Sequence, residues 1–103
     1  MRKSRIAVVL LLASASAHAV LAPSPMELDK TLTACENLLI EKAGYTREKL
    51  NPSPQYNPNV TLGNAEDDGV PFVISFTGVA KERCHGMLDN RGMLKLNQTL
   101  LQE

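Results

Sequence analysis

The 103-residue chain has no tryptophan, only two phenylalanines and two tyrosines, and only two cysteines and two histidines. Its longest uninterrupted apolar run, residues 6–13, is eight residues long, where a membrane-spanning helix needs about 20. It has no Cys-x-x-Cys pair, no glycine-rich phosphate loop and no set of Ser, His and Asp at catalytic spacing. Each absence removes a class of function. The length excludes multidomain enzymes, doubly wound cofactor folds and solenoids. The scarcity of clustered Lys and Arg, with four aromatics, excludes electrostatic nucleic-acid binding. The sequence implies no cofactor and no metal.

What is present begins with an export signal. Arg2, Lys3 and Arg5 precede the apolar run, and Ala17-His18-Ala19 follows it with the small–x–small pattern that signal peptidase reads. The expected product starts at Val20, with cleavage after Ala17 as the neighbouring alternative. Residues 1–19 are thus a cleavable Sec-type signal peptide, and residues 20–103 a single small exported domain without a stable membrane anchor. Without residues 1–19 the chain carries eight basic and eleven acidic residues, a net charge of −3. The short basic start and compact apolar region are bacterial in style, which implies a periplasmic or secreted protein.

Local signals outline an α+β fold. Ser24-Pro25-Met26-Glu27 reads as an N-cap Ser, a Pro at the first helical position and a capping-box Glu. Leu28, Leu32, Cys35 and Leu39 then recur at helical spacing, and Gly44 ends the run, so a helix is expected over residues 25–43. Thr46 can cap a short helical turn before Leu50. Three prolines, Pro52, Pro54 and Pro58, make residues 51–69 largely loop, with a short edge strand at Val60, Thr61 and Leu62. Residues 70–77 alternate Phe72, Ile74 and Phe76 against Val73, Ser75 and Thr77, the pattern of a half-buried strand. The spacing of Ala80, Cys84, Met87 and Leu88 predicts a second short helix over residues 79–88, weakened by Gly86. Residues 93–96 are expected to return as a short strand. The expectation is a small single α+β domain, with a long N-terminal helix packed on a short antiparallel sheet and a second short helix.

Cys35 and Cys84 each fall on an apolar stripe, and in an oxidising compartment two such thiols form one structural disulfide. Closing a loop of about 50 residues is worth roughly 4 kcal/mol by chain entropy. Cys84-His85 is not a nucleophile–base pair, because adjacent helical residues point about 100° apart; His85 is expected at the surface. Asn64-Ala65-Glu66-Asp67-Asp68-Gly69 has the opening of a calcium loop, but the twelfth position is Ser75 rather than Glu. A solvated acidic turn is the default reading, and whether Glu66, Asp67 and Asp68 bind a cation stays open. Tyr45 and Tyr56 are the loop aromatics available to a protein partner.

Residues 72–84, FVISFTGVAKERC, resemble a stretch of the globular domain of type IVb pilins, where a strand runs through Gly into a short helix carrying one Cys of the family's disulfide. The resemblance covers about a sixth of the exported chain. The N-terminus has no prepilin cleavage site, and the second Cys lies upstream here rather than downstream. The resemblance implies a pilin-like accessory component of a pilus or secretion apparatus. With no catalytic set in view, the expected function is binding another envelope or secreted protein. The alternatives are a small inhibitor or a thiol-active enzyme. Export itself is directly measurable: the intact mass of the released protein is expected to match a chain beginning at Val20, and a product retaining Met1 in the membrane fraction would contradict it.

Overall fold

The computed structural model describes residues 23–102, so the export segment and the expected cleavage site lie outside the described residues. Helix α1, Pro25–Ala43, is followed by the short helix α2, Arg47–Leu50. Four strands then form an antiparallel meander in chain order: β1, Asn59–Leu62; β2, Val70–Ser75; β3, Arg83–Leu88; and β4, Leu94–Leu96. This is the small α+β domain expected, with a long helix, a short second helix, a short antiparallel sheet and one disulfide.

The start of α1 is set by Ser24, whose Oγ accepts from Glu27 N–H at 3.1 Å. The Glu27 carboxylate does not close a reciprocal capping box. It accepts instead from Leu94 N–H, at 3.1 Å, on the outer edge of β4. A helix cap and a sheet edge are thereby satisfied by one residue. The helix ends at Gly44, where Tyr45 N–H returns to Leu39 O at 3.3 Å. Thr46 caps α2 through Lys49 N–H at 3.2 Å, and Arg47 reaches back to Glu36 and Asn37 of α1 at 2.6 and 2.7 Å.

The core is one cluster. Cys35, Leu38 and Leu39 of α1 and Leu50 of α2 meet Phe72, Ile74, Phe76 and Cys84. The most buried line of α1 therefore runs through Thr31, Cys35, Leu38 and Leu39, while Leu28 and Leu32 are only half-buried at its margin. Strand register places Ile74 opposite both Val60 and Cys84, and Phe72 opposite Leu62 and Gly86. These residues share the inner face, and the Cys35–Cys84 disulfide joins that face to α1 with Cα atoms 5.9 Å apart.

One expectation is corrected. Residues 79–88 are not a helix. The chain makes a single turn after Phe76, with Val79 and Ala80 N–H groups both donating to Phe76 O at 3.0 and 2.9 Å, and then extends into β3. Cys84 and Leu88 are four apart, a spacing that puts two residues on the same side of a helix and of a strand alike. Gly86 decides between the two. It lies opposite Phe72, and a Cβ there would collide with the Lys95 carbonyl and the Phe72 ring. The ring lies over the strand glycine in place of a side chain, a packing device that exists only in a sheet.

Removing the bridge should destabilise the domain by up to about 4 kcal/mol. Cys35→Ala, Cys84→Ala and the double variant should lose similar amounts in thermal melts, since one bond is lost in each. Ile74→Ala and Leu39→Ala should each cost about 2–5 kcal/mol. Leu32→Ala should cost less, and equal losses at all three positions in denaturant titrations would contradict this burial pattern.

Candidate binding surface

Fixing the inner face fixes the outer one. Because Cys84, Gly86 and Leu88 point towards α1, alternation sends Arg83, His85 and Met87 to the opposite side of β3. Register aligns Pro71, Met87 and Lys95 in one row across the sheet, Thr61, Val73 and His85 in the next, and Asn59, Ser75 and Arg83 in the third. The core cluster collects both helices on the inner face, so this outer face lies uncovered among the described residues. Antiparallel sheets tolerate such exposure when the free face is at least partly polar.

The chemistry of this face is one-sided. The four strands contain Arg83, His85 and Lys95 and no Asp or Glu, although residues 20–103 together carry a net charge of −3. Between the basic groups lie the half-buried apolar side chains of Pro71, Val73 and Met87. An open depression of about 310 Å³ is lined by Pro71, His85, Met87, Lys95 and Asn97. Lys95 is exposed, and its only ion pair is a long one to Asp89 at 3.9 Å. Arg83 donates through Nη2 to Gln102 O at 3.3 Å. Arg83 Nε and His85 Nε2 are both out of solvent contact and without a hydrogen-bond partner among the described residues. Unsatisfied polar atoms of this kind are uncommon in folded proteins, and both lie on this face.

At one end of the sheet the β2–β3 loop is held from two sides. The Tyr56 hydroxyl donates to Thr77 O at 3.0 Å, with its ring stacked on Phe76 at a centroid distance of 6.4 Å. The Tyr45 hydroxyl donates to Glu82 Oε1 at 2.7 Å and accepts from Lys81 N–H at 3.3 Å. Both tyrosines are half-buried against the core. The two loop aromatics thus brace the segment leading into Arg83, rather than standing together as a free aromatic pair.

At the opposite end, residues 63–69 form the tip of the β1–β2 hairpin. Glu66 and Gly69 exchange backbone hydrogen bonds of 2.6 and 3.2 Å, leaving Asp67 and Asp68 at the apex of a tight turn. Gly69, at φ 139°, is required here, since a Cβ would run into Leu88 O. This geometry is a hairpin turn rather than a twelve-residue cation loop, and Ser75 belongs to β2. Among the described residues, no group of three or more His, Cys, Asp or Glu side chains is placed to hold a metal ion.

Sequence reasoning singled out the cysteines and the tyrosines, and the structure joins the former and sets the latter around one loop. It passed over Arg83, Met87 and Lys95 and placed His85 on a helix. The signal was available in residues 83–88, RCHGML, which alternate between the two faces of a strand. Comparison with protein-family models, with curated proteins and with solved structures yields no match.

The Tyr45 hydroxyl holds the Glu82 carboxyl below its ordinary range, while the same bond pushes the Tyr45 phenol up. A depressed carboxylate stabilises the fold above its unfolded value and loses that contribution as pH falls through the folded one. Tyr45→Phe should therefore return the Glu82 titration upwards in a carbon-detected NMR pH series and remove part of the domain's acid sensitivity. An unchanged Glu82 titration would mean that the bond is not maintained in solution.

Proposed function

We propose that this protein is an exported, non-catalytic binding protein of the bacterial envelope, which takes an acidic protein surface against the outer face of its sheet. The observation that carries the reading is the combination on that face of exclusively basic charge with Pro71, Val73 and Met87 between the charges. An apolar centre with a charged surround is the usual anatomy of a protein contact, and the basic groups steer an acidic partner towards it. The depression is open rather than enclosing, which suits a protein surface better than a small molecule.

A disulfide belongs to a compartment outside the reducing cytoplasm, and no helix among the described residues is long and apolar enough to cross a membrane. The signal-peptide pattern refines this to the periplasm or the secreted fraction. The resemblance of residues 72–84 to type IVb pilins supports a role as an accessory component of a pilus or secretion apparatus. The loop held by Tyr45 and Tyr56 adds a rigid margin beside Arg83, presenting Thr77, Gly78 and Lys81 in a fixed shape.

A photo-cross-linking residue at Val73 tests this reading in intact cells, with Thr33, on the exposed side of α1, as the control site. A discrete cross-linked protein is expected from Val73 and not from Thr33, and Arg83→Glu/Lys95→Glu should abolish it. Equal labelling from both sites, or a product insensitive to the charge reversal, would overturn the assignment of the surface.

A further inference from the structure

We infer that a second copy of this chain supplies the acidic surface, its β1–β2 hairpin tip docking on the outer sheet face of the first. The inference rests on the binding role proposed for that face and names its partner. Glu66, Asp67 and Asp68 form the only run of three consecutive acidic residues in the sequence. All three are exposed, and the paired Glu66–Gly69 turn holds them at a fixed apex. Their complement is the Arg83, His85 and Lys95 face, whose strands carry no carboxylate.

Arg83 cannot meet the tip within one molecule, although Lys95 lies in the Pro71 row at the tip's own end of the sheet. Asp68 stands two residues before β2, whereas Arg83 pairs with Ser75 at the far end of that strand, about 24 Å away at roughly 3.4 Å per residue. The backbone bonds of the turn stop the tip from folding back over that distance. A second copy has no such restriction. Its tip can enter the depression beside Met87 and Lys95 and bring carboxylates to the exposed Lys95 ammonium.

Tip and face are different surfaces, so the contact is heterologous and leaves a free tip and a free face on every pair. A hairpin tip covers less than a stable interface requires, so the association is weak and concentration-dependent. It is also salt-sensitive, because the pairing groups lie near the surface.

Sedimentation of the oxidised protein beginning at Val20, over a wide concentration range in low salt, tests the inference. The average mass is expected to rise with concentration and to return to the monomer value in high salt. Asp67→Lys/Asp68→Lys reverses the tip, and Arg83→Glu/Lys95→Glu reverses the face. Each variant alone should associate at least about tenfold more weakly, because like charges then meet. An equimolar mixture of the two should associate again, because each reversed surface finds its complement in the other variant. Should the Arg83 substitution unfold the domain, Lys95→Glu carries the test, since that side chain is 68% exposed. A wild-type monomer at every concentration, or association unchanged in both variants, would overturn the inference. A monomer in solution whose Val73 cross-links to a different protein in cells would overturn the second copy while leaving the binding role of the face intact.

Discussion

The Cys35–Cys84 bond is the constraint from which the rest of the molecule follows. It fastens the middle of α1 to the central strand β3, and Cys84 is fully buried where it does so. A strand has only two sides, so anchoring one residue assigns all its neighbours. With Cys84 turned towards the helix, Gly86 and Leu88 join the core, and Arg83, His85 and Met87 must face away. The disulfide therefore defines the outer surface chemically as well as mechanically. A one-residue slip of β3 would exchange a buried apolar line for the side chains of Arg83, His85 and Met87. In a domain with two phenylalanines and no tryptophan, the core alone gives little reserve against such a slip.

The elements legible in the sequence are those whose signals come from one period alone. In α1, a cap, a proline, an apolar stripe and a terminal glycine agree, and the helix lies at residues 25–43 as read. In β2, Phe72 and Ile74, with Phe76 just past its end, alternate with no competing helical pattern. The segment from 79 to 88 failed because Cys84 and Leu88 satisfy both periods and the turn after Phe76 begins as a helix would. What ends that turn is tertiary. Phe72 needs a glycine opposite it, and the Cys84 sulfur has to meet Cys35. Neither requirement is visible in a local window. The binding surface was lost with the same misreading, because His85 and Met87 share a face with Lys95 only when their segment is a strand. The cysteines were legible as a pair because a chain with two thiols leaves one connectivity.

Charge is distributed by element rather than at random. The helices balance Glu27, Asp29, Glu36, Glu41 and Glu48 against Lys30, Lys42, Arg47 and Lys49, whereas the hairpin tip carries Glu66, Asp67 and Asp68 with no basic residue and the strands carry no carboxylate. Among the described residues, the carboxylates outside those regions are occupied. Glu82 accepts from Tyr45, and Asp89 accepts from Arg91 and Met93 N–H, which holds its carboxyl below the ordinary range. The basic groups of the sheet are thus left largely without local neutralisation, apart from the long Lys95–Asp89 pair. The hairpin tip and the outer sheet face are therefore two patches of opposite sign, the pair that the proposed association would bring together.

The two sheet edges then determine which association prevails. On β4 the Glu27 carboxylate occupies Leu94 N–H, and the chain continues past the strand to pair Leu101 with Arg83, so this edge offers little to a second strand. On β1 the ladder bonds use Asn59, Thr61 and Gly63, since Gly63 N–H donates to Pro71 O, and alternation leaves the backbone groups of Val60 and Leu62 turned outward. That edge is uncharged, and Leu62 is 47% exposed beside it, which are the properties of an aggregation-prone strand. Two features restrain it: the strand is four residues long, and Pro58 directly precedes it. Edge pairing would add few hydrogen bonds and no charge complementarity. The proposed docking on the outer face would add opposite charges. The fold thus limits association through its backbone edges and favours contact through the face that the disulfide orients outward.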